Sequence, residues 1–207
     1  MKKMYAIKWY EELDSTNNEA IRMADSLDNL SVIAASYQTA GRGQRGNSWQ
    51  AAHGENLTFS VFLRFPLASA PDESANTGIP AADQFRLSET ATLAQCRFLQ
   101  GKGIDARIKW PNDIYVGNRK ISGMLVENSL NGGNLSTSVV GIGMNVNQTA
   151  FPPELPNPVS MKLLTGKEYD IRALLEEFMD EFCASLELLE LPADRLREIY
   201  ESGMYRR

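Results

Sequence analysis

The stretch TAGRGQRGNSW (residues 39–49) brings three glycines and two arginines into one loop. Where no Cβ intervenes, backbone N–H groups can approach an anion closely. Arginine adds charge-assisted, often bidentate, hydrogen bonds to phosphate or carboxylate. The loop lies between two strand-like stretches and lacks the Lys-Ser/Thr ending of a P-loop, which disfavours P-loop and dinucleotide-binding interpretations. From this loop alone, an anion site and a basic surface hairpin remain equally open.

A second set of polar residues interrupts the apolar, strand-forming stretch IKWPNDIYVGNRKISGMLVE (108–127). Its proline forces a bend, which can aim Asn112 and Asp113 into a cleft. Taken singly, a lysine such as Lys120 at the mouth of a sheet is more often merely solvated. Two lysines, Lys109 and Lys120, and one aspartate surround a Trp-Pro-Asn corner. This combination is less readily explained by solvation than a single lysine is.

The third segment, VVGIGMNVN (139–147), places Gly141 and Gly143 inside a predicted strand. Glycine weakens a strand interior, so its presence indicates close approach of a ligand or of another backbone. Asn145 and Asn147 follow at the end of that strand. On this segment alone, a bulge that ends in an Asn turn is the simpler interpretation.

The elements that must position these residues follow an α+β order. Apolar, β-prone stretches predict strands at 5–10, 31–37, 56–65, 106–110 and 136–147, and Gly117-Asn118 and NGGN (131–134) predict hairpin turns. A first helix is predicted to begin at Asp14 or Ser15 and to bury a stripe of apolar side chains. That stripe comprises Ala20, Ile21, Ala24 and Leu27. Further helices are predicted over 83–103, 170–190 and 192–203, with a long mobile loop over 66–82.

Composition and charge narrow the class of protein. The chain has 207 residues, 43% of them hydrophobic, and a net charge of −5, which is typical of one globular domain and disfavours nucleic-acid binding. Cys96 and Cys183 lie in apolar, helix-like stretches, and His53 is the only histidine, so neither structural zinc nor a disulfide framework is expected. Without a signal peptide or a long apolar run, a cytoplasmic protein that does not bind membranes is predicted.

Taken together, these segments resemble the biotin–protein ligases, also called biotin–acetyl-CoA-carboxylase ligases. The resemblance covers most of residues 5–165 and is carried, in the family's order, by DSTNNEA (14–20), SYQTAGRGQRGNSW (36–49), NLTFSVFLR (56–64), RIKWPNDIYVGNRKISGMLVE (107–127) and GIGMNVN (141–147). It implies one catalytic domain over 1–207 with a fold related to class II aminoacyl-tRNA synthetases. That fold has a central mixed, largely antiparallel sheet flanked by helices.

The resemblance also implies a reaction in two steps. Biotin and ATP give biotinyl-5′-AMP and pyrophosphate, and biotin then passes to one lysine of a biotin carboxyl carrier protein or domain. ATP and Mg²⁺ are the expected co-substrate and ion, with Mg²⁺ bridging the phosphates and no dedicated metal site in the protein. A lipoate–protein ligase and a non-catalytic carrier-domain binder of the same fold remain alternatives. Whether the protein is a monomer or a homodimer stays open.

Residue roles follow from the same resemblance. The expected catalytic residues are Lys120, Asp113 and Arg42. The expected biotin-binding residues are Ser15, Thr16, Gln38, Gly41, Arg42, Gly43 and Lys120. The expected nucleotide-binding residues are Arg45, Trp49, Lys109, Asn112, Lys120 and Asn145. The carrier lysine has an ordinary pKa near 10.4, so it must lose a proton before it reacts. The proton is expected to pass either to Asp113 or to water. The two acceptors are equally favoured, because Asp113 is also explained as a turn former.

Three departures from the family pattern carry expectations of their own. DST begins at position 14, which leaves no room for the N-terminal DNA-binding domain of some members, so repressor function is not expected. After the C-terminal helices (170–203), the SH3-like domain of most bacterial members is absent or truncated. Gln44 stands where many relatives have arginine, which removes one cation from the loop and is expected to alter retention of the adenylate.

Overall fold

The computed structural model describes residues 4–67 and 78–205. Within these residues, seven strands form one sheet in the order β1-β2-β3-β7-β6-β5-β4. The strands are β1 (Ala6–Leu13), β2 (Ser31–Gln38), β3 (Leu57–Arg64), β4 (Ala106–Lys109), β5 (Asp113–Val116), β6 (Arg119–Asn131) and β7 (Asn134–Met144). Strands β1 and β2 are parallel and the other neighbours are antiparallel, which confirms the predicted mixed, largely antiparallel sheet.

Helices cover both faces of the sheet. They are α1 (Thr16–Arg22), α2 (Phe85–Gly101), α3 (Met161–Thr165), α4 (Ile171–Ser185) and α5 (Ala193–Ser202). On one face, Phe178 of α4 meets Phe59 of β3 and Phe98 of α2 edge-on, within the main core. On the other face, α1 buries Ala20 in a smaller cluster with Ile33 and the neighbouring strands. No helix in the described ranges combines the length and the apolar composition that crossing a membrane requires.

Two tight turns bring the central strands together in chain order. Val116 pairs with Arg119 across Gly117-Asn118, and Asn131 pairs with Asn134 across Gly132-Gly133. Gly117 has a φ of 58°, a conformation that glycine adopts without strain. Both predicted hairpins are confirmed, and they set β5, β6 and β7 side by side.

The first helix is shorter than its apolar residues predicted. Ser15 is its N-cap and accepts from the Asn18 N–H at 3.5 Å, but α1 ends at Arg22. Ala24 therefore lies in a separate 3-10 turn (Ala24–Ser26), and Ile21 is 47% exposed. The predicted stripe is wrong at Ile21, whereas Ala20 is buried in the smaller cluster and Ala24 and Leu27 pack against it. The middle of the predicted 66–82 loop, residues 68–77, lies outside the described residues.

The edge of the sheet at β4 is covered by the segment after α5. Ile108 N–H donates to the Gly203 carbonyl at 2.9 Å, and Tyr205 N–H donates to the Ile108 carbonyl at 2.7 Å. An edge strand otherwise presents unpaired backbone groups to other chains. The segment therefore seals β4 next to the Trp-Pro-Asn corner.

Both cysteines agree with their prediction as packed helix residues. Burial raises the pKa of Cys96 to about 12 and that of Cys183 to about 11. Because only the thiolate is a strong nucleophile, neither thiol is activated at neutral pH.

Replacing Asp14 by asparagine is expected to weaken the protein at neutral pH and to have little effect in acid. Asp14 accepts from Arg22 at 2.7 Å and from Asn18 at 2.9 Å, and these hydrogen bonds hold the pKa of its carboxyl well below the usual range. A lowered folded-state pKa contributes stability above the unfolded pKa of about 3.9, and this is lost as pH falls below it.

The measurement is the thermal midpoint of both proteins between pH 7 and pH 3. Because Asp14 is partly exposed, we expect a gap of less than about 1 kcal/mol at pH 7 that begins to narrow as pH falls below about 4 and is lost through the lowered folded-state pKa. A gap that stays constant with pH would show that the Asp14 charge does not stabilise α1.

Candidate active site

A cavity of about 320 Å³ lies where the glycine-arginine loop, the start of α1 and strands β5, β6 and β7 meet. Its walls bring together nine of the residues predicted from the sequence. These are Ser15, Thr16, Gln38, Arg42, Gly43, Trp49, Asn112, Asp113 and Lys120. Strand β6 forms much of the floor through Gly123, Met124 and Leu125. The three segments singled out in the sequence thus face one space.

One end of the cavity, here called the polar end, is formed by Thr16, Asn17 and Gln38. Thr16 N–H donates to Gln38 Oε1 at 2.7 Å, and Thr16 Oγ1 lies 3.1 Å from the same oxygen. Because a backbone N–H can only donate, this contact fixes the Gln38 amide and leaves its Nε2 group as a donor. The fully buried Ser60 Oγ lies 2.8 Å from Thr16 Oγ1 and 2.6 Å from Asn17 Oδ1.

The other end, here called the reactive end, is formed by Lys120 and Asp113. Lys120 Nζ lies 2.7 Å from Asp113 Oδ1, and the two side chains are 32% and 31% exposed. Buried Asn112 donates to the Met124 carbonyl at 2.6 Å, which fixes the bend that precedes Asp113. Trp110, 61% exposed, stands at the rim. A lysine held by a carboxylate beside a cavity is suited to an anionic ligand.

The glycine-arginine loop is a self-paired hairpin. Trp49 N–H donates to the Gly41 carbonyl at 2.9 Å, and Gly43 N–H donates to the Asn47 carbonyl at 2.7 Å. A Cβ on Gly41 would lie less than 3.0 Å from the Trp49 backbone oxygen. The loop glycines therefore serve contacts within the chain, and the Gly43 N–H is not available to an anion. The side chain of Arg45 lies outside the described part of the structure.

The strand glycines Gly141 and Gly143 make room for side chains. A Cβ on Gly141 would lie less than 3.0 Å from Asn17 Oδ1, and one on Gly143 would lie equally close to the Trp49 ring. The predicted close approach is present, but the approaching groups are Asn17 and Trp49. Trp49 Nε1 is buried without a partner in the described residues, and Lys120 Nζ lies 5.9 Å from the ring centroid.

Three predicted residues lie elsewhere or are engaged elsewhere. Gly41 lines a neighbouring cavity on the other side of Trp49. Lys109 donates to Tyr115 Oη at 3.2 Å, and buried Asn145 donates to the Val159 carbonyl at 3.1 Å, so neither lies in the cavity wall. Both side chains support the surrounding strands and loops.

Arg42 lines the cavity but belongs to the polar end. Its guanidinium pairs with Glu127, which lies four residues beyond Gly123 on β6. Lys120 Nζ lies beside Gly123, within 3.2 Å of where its Cβ would stand. At about 3.3 Å per residue, the backbones of Gly123 and Glu127 are roughly 13 Å apart along the strand. Arg42 is thus paired at the polar end in this structure, and its predicted catalytic role stays a prediction.

Sequence reasoning missed Asn17, Ser60 and Glu127. Asn17 and Glu127 end up within hydrogen-bonding distance of each other, although 110 positions separate them. Asn17 follows Thr16 directly, and Glu127 closes the second quoted segment, but nothing in their spacing signals a shared site. Asn17 and Ser60 are buried polar residues beside predicted ligand residues. Because buried polar groups need hydrogen-bond partners, that proximity was the available signal.

Tyr200 of α5 fixes the reactive end from behind. Its hydroxyl donates to the Pro111 carbonyl at 2.5 Å, and its side chain is buried. We expect Tyr200→Phe to lower the free energy of unfolding by about 1 kcal/mol, because one carbonyl loses its buried partner. Loosening of the corner should also lower turnover several-fold without changing the affinity for the ligand at the polar end. Denaturant unfolding and steady-state kinetics measure both effects, and full turnover by the variant would contradict the positioning.

The geometry can now be compared with known proteins. The model of the Biotin/lipoate A/B protein ligase family matches residues 9–145, which is most of the chain. The chain belongs to this family. Its family segment contains every residue of the polar and reactive ends named above.

Individual relatives agree with the family match. The bifunctional ligase/repressor BirA of Escherichia coli is 32% identical over 180 residues, which is 86% of this chain and 52% of that protein. The biotin–[acetyl-CoA-carboxylase] ligase of Paracoccus denitrificans is 35% identical over 174 residues, 81% of this chain and 65% of that protein. The chain thus spans about half to two thirds of the length of these relatives.

A solved structure supports the fold of this family member. The biotin protein ligase from Aquifex aeolicus, determined in complex with biotin and ATP, superposes with a TM-score of 0.76 at 27% identity. The match covers 96% of this chain and 78% of that one. The predicted fold, including its central mixed sheet, is confirmed.

Proposed function

We propose that the chain is an ATP-dependent biotin–protein ligase. It joins biotin to ATP as biotinyl-5′-AMP, releases pyrophosphate, and transfers biotin to a lysine of a biotin carboxyl carrier domain. The observation that carries the proposal is one cavity lined by hydrogen-bonding groups from α1 and β2 and by a lysine–aspartate pair from β5 and β6. Biotin has the matching form, with a ring urea at one end and a carboxylate at the other.

The polar end suits a urea. A urea carries one carbonyl acceptor and two N–H donors, and it is neutral. Gln38 Nε2 supplies a donor, while the Ser15 and Thr16 hydroxyls supply acceptors. A site built around such groups discriminates strongly, because a ligand without matching partners leaves them unpaired.

The reactive end suits the adenylation step. One oxygen of the biotin carboxylate attacks the α-phosphorus of ATP, a new O–P bond forms, and the bond to the bridging oxygen breaks as pyrophosphate leaves. Both reactants are anions, so a cation between them stabilises the transition state. Lys120 provides that charge, and Asp113 at 2.7 Å holds it in place.

Transfer uses the same end. The carrier lysine attacks the acyl carbon, a C–N bond forms, and the C–O bond to AMP breaks. The amine must first lose a proton. Among the described residues that line the cavity, Asp113 is the acidic one, and we propose that it accepts this proton. The described residues hold no cluster of three or more metal-ligating His, Cys, Asp or Glu side chains. We propose that Mg²⁺ enters with the ATP phosphates, which it neutralises.

Lipoate is the second candidate acid, because the matched family includes lipoate ligases. Its dithiolane ring offers neither donors nor acceptors of urea type. Binding it would leave the Gln38 Nε2 donor and the remaining Thr16 lone pair without a ligand partner, which costs about 1–3 kcal/mol per group where water is excluded. The polar end therefore favours biotin over lipoate.

The proposed partner is a carrier protein or domain of a biotin-dependent carboxylase, without nucleic acid or membrane. The supply of ATP and the unactivated thiols support a cytoplasmic setting. Monomer and homodimer both fit the proposal.

The deciding experiment supplies the protein with ATP, Mg²⁺ and either biotin or lipoate, with mass spectrometry of the small-molecule products. Biotinyl-5′-AMP with biotin alone is expected, followed by a biotin mass increment on an added carrier domain. Lipoyl-AMP would support the second candidate. Adenylate with neither acid would overturn catalysis and leave a carrier-binding module.

A further inference from the structure

Thr58 of strand β3 is a buried polar residue in the wall of the cavity, and the proposed chemistry gives it no role. It is 6% exposed, yet its hydroxyl makes no hydrogen bond to any described residue. Most buried polar groups are paired, so an unpaired one beside a ligand space points to a partner on the ligand. Thr90 of α2 also has an unpaired hydroxyl, but that oxygen is sealed inside the protein and away from the cavity, whereas the Thr58 hydroxyl is not sealed.

The pleat of β3 directs the Thr58 side chain into the cavity. Side chains two positions apart on a strand share a face, so Thr58 lies on the same face as Ser60. Ser60 Oγ lies 2.8 Å from Thr16 Oγ1, on the side where α1 encloses the cavity. Thr58 pairs with Gly143, so β7 contributes no side chain beside the hydroxyl.

The register of the sheet places Thr58 between the two ends of the cavity. On its own strand, Ser60 lies about 7 Å away, beneath the polar end. Across the strands, Thr58 pairs with Gly143 and Gly143 pairs with Gly123, beside which Lys120 Nζ lies. Two strand spacings, or roughly 10 Å, therefore separate Thr58 from the reactive end. A ligand that spans both ends has its middle part beside Thr58.

Biotin carries one polar atom in that middle part. In the proposed function its urea meets Gln38, Ser15 and Thr16, and its carboxylate meets Lys120. Between these groups lies the thioether sulfur of the second ring, a weak hydrogen-bond acceptor, and the remaining atoms are hydrocarbon. A threonine hydroxyl can donate to such a sulfur, and the Thr58 hydroxyl has no other acceptor among the described residues.

We propose that Thr58 is a specificity-determining residue whose hydroxyl donates a hydrogen bond to the ring sulfur of biotin. The inference rests on the proposed function and adds a contact that the urea and carboxylate sites do not supply. A ligand with a methylene group in place of the sulfur would displace water from the hydroxyl and leave it unpaired, which costs binding free energy. The cavity therefore selects for a heteroatom at this position of the ring.

The test compares biotin with its analogue in which a methylene group replaces the ring sulfur. The wild-type protein should use biotin with a kcat/KM about fivefold higher than that for the analogue, and Thr58→Val should abolish this preference. The change should come from a higher KM for biotin, while kcat stays within about twofold. Adenylate formation with ATP in excess is the readout.

Three variants distinguish a ligand contact from a structural role. Thr58→Ser keeps the hydroxyl and should keep most of the preference. Thr58→Val keeps the shape and loses a hydroxyl without a protein partner, so the thermal midpoint of the free protein should not fall. A fall would show that the hydroxyl serves the fold instead. Thr90→Val removes an unpaired hydroxyl away from the cavity and should leave the kinetics with both ligands unchanged.

The outcomes separate the two proposals. A preference that survives in Thr58→Val overturns the sulfur contact, whether activity is unchanged or falls equally for both ligands. A wild-type protein that uses both ligands equally well also overturns it, and this result does not depend on whether Thr58→Val folds. Both results leave the proposed function intact. A wild-type protein that forms no adenylate with biotin overturns the proposed function and this inference with it.

Discussion

Replacing Lys120 by alanine should reduce formation of biotinyl-5′-AMP by about 10³-fold. Lys120 Nζ is the cation beside Asp113 at the reactive end. In the proposed reaction, two anions must meet there. Without it, the approach of a carboxylate to a phosphate meets uncompensated repulsion, and Asp113 adds another negative charge. The measurement is pyrophosphate release in single turnover, with biotin and ATP both saturating.

The loss should appear in the chemical step. Because Thr16, Gln38 and Asn17 do not touch Lys120, binding of the biotin ring should weaken by less than about tenfold. Lys162→Ala, which removes a surface lysine 3.0 Å from Glu168, is the matched control and should keep full activity. Unchanged pyrophosphate release by Lys120→Ala would remove Lys120 from the reaction and leave the reactive end without an assigned cation.

Gly143→Ala should be among the most damaging conservative changes in the wall of the cavity. The added methyl would stand less than 3.0 Å from the Trp49 ring, which lines the cavity next to Gly123 and Gly143. Either the ring or strand β7 must move, at a typical cost of about 1–3 kcal/mol in stability. A wall displaced by about 1 Å is expected to lower kcat/KM about 10²-fold.

A helical glycine provides the control for this change. Gly101 closes α2, and a Cβ there would meet nothing within 4 Å. Gly101→Ala should therefore be neutral or stabilise by up to about 1 kcal/mol, with activity intact. The measurements are kcat/KM and the thermal midpoint of both variants. Equal values for the two variants would show that the position of the Trp49 ring does not depend on the missing side chain at Gly143.

Much of the fold could be predicted because local signals agree with it. Turn residues such as Gly117-Asn118 and β-prone runs such as 56–65 specify hairpins and strands without reference to the rest of the chain. The first helix shows the limit, since Ile21 continues a helical stripe in the sequence but points to solvent in a helix that ends at Arg22. Tertiary packing decides such boundaries.

The site divides in the same way. Lys120 and Asp113 stand near one another in sequence, so one hairpin suffices to bring them together. The polar end joins Thr16, Ser60 and Glu127 from separate elements, and only the assembled sheet reveals that they share hydrogen bonds. The Arg42 side chain was placed with the reacting anions because its charge was visible in the sequence, whereas its partner Glu127 was not.

Both ends of the cavity lie along β6, so the strand sets the distance between them. Gly123, beside the Lys120 ammonium, and Glu127, behind the ring site, are separated by a fixed number of backbone repeats. An acid with the right ring and a tail one carbon shorter or longer would present its carboxylate about 1 Å from where it must react, a misplacement that can lower the rate about 10²-fold. In the proposed reaction, selection for tail length therefore resides in the rise per residue of a strand, which exchange of a single side chain cannot reset.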